Sequence, residues 1–286
     1  MKYPLAPPKL SRSTCSAYVW SCTGETYTIS PDDSLAEKVM SSMTATSFYR
    51  FNASPEFSVN HISEYLATDN APQGTRIIRA AKFPKKVEVA AYSQIRKPLQ
   101  IALTKPGFDR KGVELLAEKM AAKARRETGY ARDEALRCEK AVRAFIDTLQ
   151  PRSFARMQIG PTPSQLAIKR AEVRIKISLD ASVVSEINGG THSGGIVLLY
   201  AFSADRGPVA SRLSAMTGLM LWALEQGQME PLPRLCSAID IADGTIVRAN
   251  PAHTRFRERV TDSCHEIASR WDSIEPPEDY DGPDWR

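Results

Sequence analysis

The chain has 286 residues, 42% of them hydrophobic and 25% charged, a balance that excludes a wholly disordered or fibrous protein and allows one large domain or two modest ones. Its net charge of +5 is unevenly placed, because residues 76–176 carry 24 Lys and Arg against 10 Asp and Glu while the remainder carries 14 against 23. Such segregation is the electrostatic footprint of a nucleic-acid or other polyanion partner, or else of a solvated basic face balanced by an acidic neighbour.

Met1-Lys2-Tyr3-Pro4 leads into Pro7-Pro8 without the apolar stretch of a secretory signal, and the longest apolar run, Ile196 to Phe202, is far short of a membrane span. A cytoplasmic protein with no membrane partner is expected. Its five cysteines, Cys15, Cys22, Cys138, Cys236 and Cys264, then read as reduced thiols. Cys15 and Cys22 lack a second close-spaced Cys/His pair, so no zinc site and no other metal is expected.

Residues 1–28, rich in Pro, Ser and Thr, read as a flexible arm with a short strand near Ala17 to Trp20. Ser30-Pro31-Asp32-Asp33 starts a helix running to about Met43, and Ser54-Pro55-Glu56 starts a second running to about Leu66, stopped by Asp69-Asn70. The shorter, basic pattern from Gly74 to Thr104 reads as strand and loop. After Lys105-Pro106-Gly107, Val113, Leu116 and Met120 recur at helical spacing in a helix ending near Thr128-Gly129. Another helix runs from about Asp133 to Leu149, on Cys138, Val142, Phe145 and Leu149. Residues 29–150 thus form a mostly helical, basic subdomain.

Gly160-Pro161-Thr162-Pro163 is the clearest linker, and residues 151–274 follow as an α/β sheet subdomain. A short strand at Gln165–Lys169 precedes a long one in which Val173, Ile175, Ile177, Leu179 and Ala181 alternate with polar residues. The glycine-rich stretch Asn188 to Gly195 reads as a loop into a central strand, Ile196–Phe202. Pro208 to Glu225 is an apolar helix, Leu235–Ile241 and Thr245–Arg248 form a hairpin around Asp243-Gly244, and a last helix carries Phe256, Val260, Cys264, Ile267 and Trp271 on one face. Residues 275–286 read as an acidic tail, disordered or else folded back on the basic surface or engaging a partner. The fold class is α/β (α+β), with a mixed central sheet flanked by helices and a mostly helical N-terminal half.

From the Asp133–Leu149 helix onward the order is helix, strand, strand, strand, helix, strand. This order, with Leu179-Asp180 where a second strand would carry an acid, resembles the core of the PD-(D/E)XK nuclease superfamily over about residues 131–248. The resemblance implies an acid on the second strand and an acid-x-Lys pair on the third, together holding a divalent metal that activates water. Gly195 to Phe202 contains neither carboxylate nor lysine, so a nuclease-like scaffold without cleavage is expected. Were the chain an enzyme, Asp180 with Glu139 or Glu172 would be its ligands, and Mg or Mn its cofactor. Without that reaction, Asp180 is a wet-face strand residue beside Arg174 or Lys176, and no cofactor is expected.

Two basic rows stand out: Lys119, Lys123 and Arg126 on one helix, and Arg137, Lys140 and Arg143 on the next, with Arg174 and Lys176 on the long strand. Rows at helical spacing track phosphates, and interleaved Glu114, Glu118, Asp133 and Glu139 equally permit intrahelical ion pairs. The glycine-rich loop around His192 lacks the Lys-Ser/Thr ending of a P-loop. Cys264 and His265, adjacent on a helix, point apart, and His61 and His253 lack neighbours at metal-ligand spacing. Three functions follow: a noncatalytic nucleic-acid-associated accessory protein in a larger assembly, contacting DNA more readily than RNA; a metal-dependent nuclease; or a regulatory subunit that binds an acidic protein.

Overall fold

Ile95, Leu99, Ala102 and Leu103 recur at steps of four, three and one, the spacing of a single helical stripe, and all four are buried. They belong to a helix, in a segment that its basic residues and prolines had suggested was strand and loop. The computed structural model describes residues 47–86, 92–105, 108–149, 158–160, 166–200 and 208–286. The expected arm, the Ala17–Trp20 strand, the Ser30–Met43 helix, Cys15 and Cys22 lie outside them, as do residues 161–163 of the expected linker.

Seven helices are present among the described residues: α1 (Val59–Leu66), α2 (Ala71–Lys82), α3 (Ser93–Thr104), α4 (Arg110–Arg126), α5 (Gly129–Thr148), α6 (Val209–Leu224) and α7 (Thr254–Arg270). The strands are β1 (Glu56–Ser58), β2 (Gln158–Gly160), β3 (Leu166–Arg170), β4 (Val173–Ile177), β5 (Ala181–Ile187), β6 (Gly190–Leu199), β7 (Pro231–Asp240) and β8 (Ile246–Arg248). A mixed α/β fold results, mostly helical over the described residues between 47 and 149.

Local chemistry accounts for where the helices begin. Ser58, not Ser54, caps α1 by accepting from the His61 N–H, so Glu56 lies on a short strand. Asn70, read as a stop, caps α2 by accepting from the Gln73 N–H, and Pro72 occupies its first turn. Glu127 and Thr128 link α4 to α5 with two residues, which makes the pair an antiparallel hairpin.

The strands form two sheets, β1-β4-β3 and β2-β5-β6-β7-β8. In the larger one β6 and β7 are parallel and every other neighbouring pair is antiparallel. The β6–β7 connection needs a crossover, and α6 supplies it. The long alternating strand expected from Val173 to Ala181 is in fact two: β4 ends at Ile177, and β5 begins at Ala181 in the other sheet. The glycine-rich stretch is not a loop either. Asn188 and Gly189, with φ of 52° and 79°, make a two-residue turn, and Gly190 to Gly195 run on as the first half of β6.

Two cores cover the two faces of the larger sheet. On one, α3, α4 and α5 pack Leu99, Met120, Val142 and Phe145 against Val183, Ile196 and Leu198. On the other, Val197, Leu199 and Ala238 meet α6. Leu219 to Ala223 are five consecutive buried residues, so the C-terminal part of α6 is enclosed on all sides, between the two sheets, while Ala210, Ser211 and Ser214 nearer its start are exposed. The helices before the expected linker and the strands after it therefore share a core.

The acidic tail is ordered. Tyr280 and Trp285 pack edge-on against Phe83 with ring centroids 5.0 and 6.0 Å away, and Asp281 accepts from the N–H groups of Phe48 and Tyr49. Beneath them Lys82, 2% exposed, donates to the carbonyls of Trp271 (2.8 Å) and Ile274 (3.0 Å) at the open end of α7. Its ammonium lies 5.2 Å from the Trp285 ring centroid, and burial lowers its pKa.

Candidate functional site

Asp180 sits in the gap between the two sheets, just before β5 begins. Its own N–H donates to the Ile196 carbonyl, and its carboxylate continues the ladder by one more rung, accepting from the Leu198 N–H at 2.6 Å. Without that oxygen the Leu198 N–H would be a buried donor with no strand opposite it. The second oxygen accepts from the Gln100 amide at 2.6 Å. Gln100 reaches it because Arg96 and Gln100 are four residues apart on α3, one turn along the same face. The Arg96 guanidinium lies 5.0 Å from the Tyr200 ring centroid.

At 4% exposure Asp180 is buried, contrary to the wet-face expectation. Burial raises its pKa, and the Leu198 N–H, the Gln100 amide and the Arg96 charge only partly oppose that. The Tyr200 hydroxyl is likewise pushed up, by burial first and the Asp180 charge second. A cleft of about 250 Å³ opens beside the carboxylate, lined by Glu56, Asn60, His61, Arg96, Lys176 and Ser178 among others. Across it Glu56 bonds the Lys176 ammonium and lies 3.9 Å from Arg174. Arg174 and Lys176 thus share one strand-pairing carboxylate, Glu56, instead of pairing with Asp180, and the Arg174 side chain stays 56% exposed.

The other proposed acids do not join Asp180. Glu172 occupies the tight β3–β4 turn, where it pairs with Lys169, and Glu139 pairs with Arg143 on α5. Val197 and Leu198 are the β6 residues at the cleft. Among the described residues no group of three His, Cys, Asp or Glu is spaced to hold a metal ion.

Asp180 thus acts on the fold, which is testable. Asp180→Ala strands two donors and should lower stability by about 1–3 kcal/mol. Because the carboxyl pKa is raised, this group's stabilising contribution is complete below the unfolded value and is lost as pH rises through the folded one. Asp180→Asn keeps an acceptor for Leu198 and removes the buried charge, so at pH 7 it should be no less stable than the parent. Urea unfolding of the three proteins at pH 7 tests this, and an asparagine variant less stable than the parent, or an alanine variant equal to it, contradicts it.

The two basic rows fare differently. On α5, Arg137 pairs with Glu134 at 2.8 Å and Arg143 with Glu139 at 2.9 Å, and Arg143 also lines a groove with Glu114, Glu118 and Asp147. On α4, Lys123 is held by the uncharged Gln94 amide oxygen at 2.7 Å. Lys119, Arg126 and Lys140 are exposed and have no carboxylate partner among the described residues. Residues 119–132, the tip of the α4–α5 hairpin, hold five cations, Lys119, Lys123, Arg125, Arg126 and Arg132, against the single acid Glu127.

No family model and no curated protein matches this chain. His192 and His253 lie 3.6 and 3.7 Å from Glu230 and Glu225, and Cys264 is buried on α7 while His265 is exposed. Among the described residues no helix is long and apolar enough to cross a membrane. Sequence reasoning missed Gln100 and Arg96 as partners of Asp180, although the Ile95–Leu99–Ala102 stripe already placed them together, and it missed Tyr130 at the hairpin tip.

Proposed function

We propose that this chain is a noncatalytic nucleic-acid-binding accessory protein that contacts phosphates through the tip of the α4–α5 hairpin. The observation that carries the reading is the excess of five cations over one carboxylate within residues 119–132, with Lys119 and Arg126 exposed and Lys123 bonded only to an uncharged amide. Last-turn cations also favour the C-terminal end of α4 electrostatically. That effect operates within one turn and leaves Lys119 and Arg132 unaccounted for.

The strands expected at Gln165–Lys169 and from Val173, on which the PD-(D/E)XK resemblance rests, lie in the smaller sheet, and a different run, α5, β2, β5, β6, α6 and β7, follows the order helix, strand, strand, strand, helix, strand with Asp180 just before its second strand. The β3–β4 hairpin is interposed and belongs to the other sheet. This supports a nuclease-like scaffold, and the apolar β6 residues beside Asp180 support a binding role over cleavage.

The test is binding of labelled DNA as a function of salt. Reversing Lys119, Lys123 and Arg126 together to Glu should abolish retention, and replacing any one of them by Ala should lower the slope of log affinity against log salt by about one. Glu in the last turn of α4 opposes the helix dipole and Lys123→Glu breaks the bond to Gln94, so a modest fall in melting temperature is expected and folding is checked by circular dichroism. DNA retention equal to that of the parent would reject the hairpin tip as the contact.

A further inference from the structure

Tyr130 is a large aromatic residue left 60% exposed at the second position of α5, between the cations Arg125, Arg126 and Arg132. Its ring is not loose. The Arg137 guanidinium, two helical turns further along, lies 5.6 Å from the ring centroid. Arg137 is itself fixed by Glu134, whose side chain is only 8% exposed and which accepts from it at 2.8 Å. The result is an aromatic ring backed by an immobilised cation and presented at the most basic end of the hairpin. The same contact explains why Arg137, expected to meet phosphate, is turned toward its own helix.

From this geometry we infer that the hairpin tip takes single-stranded nucleic acid in preference to duplex, with the Tyr130 ring as a platform for an unpaired base. The inference rests on the nucleic-acid reading above and adds the strandedness of the ligand. A phosphate row alone suits either form, since both display the same charges. An exposed ring among those cations is of use only to a base whose face is open, and in a duplex those faces are covered by neighbouring pairs. Charge selects a polyanion, and the ring selects among polyanions.

Fluorescence anisotropy on the full chain, with labelled oligothymidylate and a labelled duplex of equal length at low salt, tests this. The parent should favour the single strand. Tyr130→Ala should weaken single-strand binding roughly 5- to 150-fold, with little effect on duplex. Tyr130→Phe, which keeps the ring and loses only the hydroxyl, should bind as the parent does. Salt-dependent binding that is equal for both forms and indifferent to Tyr130→Ala overturns the single-strand inference and leaves the phosphate reading standing. If neither oligonucleotide binds, both fail. Competition by polyglutamate with no role for Tyr130 assigns the tip to an acidic polypeptide and also overturns the inference.

Discussion

Replacing Gly194 with alanine is expected to lower stability by at least about 3 kcal/mol. A Cβ on Gly194 would stand 2.3 Å from the Cβ of Leu235 and 2.4 Å from its carbonyl oxygen. These are atoms of the adjoining parallel strand, where the β6–β7 register shifts between Ser193 and Gly195, and they cannot yield as the end of a long side chain can. Relief requires β6 and β7 to part in the middle of the larger sheet, which carries a core on each face. For a chain of this size the melting temperature should fall by roughly 6 to 12 °C. Gly189→Ala is the control. Its φ of 79° is uncomfortable for alanine, yet nothing lies within 4 Å of the added carbon, so only the left-handed strain of about 1–2 kcal/mol applies. Equal melting temperatures for the two variants would show that the β6–β7 pairing described above is wrong.

That glycine also marks where sequence patterns stop being informative. Gly194 and Gly195 read as a loop because glycine has low strand propensity and sits beside other turn residues. The reason for it is Leu235, distant in sequence, which the chain itself does not advertise. Asp180 poses the same difficulty. Its carboxylate extends a ladder along β6 to Leu198 and also accepts from Gln100 on α3, and no local pattern pairs residues so far apart. By contrast α4, α5, α6, α7 and the β7–β8 hairpin were legible, because each carries a stripe, or a turn such as Asp243-Gly244, whose geometry is set within a few residues.

The misreading of residues 74–104 has another cause. Ile77, Ile78 and Ala81 do lie on one helical face, but Arg76, Arg79, Lys85 and Lys86 and the prolines Pro84 and Pro98 obscured it, Pro98 standing inside α3. The tail was misjudged from its charge. Four aromatic rings, Tyr49, Phe83, Tyr280 and Trp285, outweigh its carboxylates, two of which find partners at Phe48, Tyr49 and Lys85. The ion pairs of Arg137 and Arg143 with acids three and four residues away were available from spacing alone.

Alkaline pH should destabilise the protein steeply, and the cause is its buried thiols. Cys138, Cys236 and Cys264 are fully buried, and burial pushes their pKa values from 9.0 up to about 12, about 12 and about 11. Between pH 9 and those values the native thiols keep protons that the unfolded chain has released. The native state then binds more protons, so stability falls with rising pH. The contribution of each thiol is whole below the unfolded pKa and is lost as pH climbs toward the folded one. Three thiols together remove up to about 4 kcal/mol between pH 8 and pH 10, a large share of the 5–15 kcal/mol typical of a folded domain. Tyr65, raised to about 12, adds to the loss above its own unfolded value. Lys82 works in the opposite direction, because its pKa is lowered and the unfolded chain binds the extra proton, but it is one group against three. Urea unfolding under reducing conditions at pH 8, 9 and 10 measures the slope. Replacing all three cysteines by alanine should flatten it even though the variant starts less stable, and a parent protein equally stable at pH 8 and pH 10 would refute this account of the core.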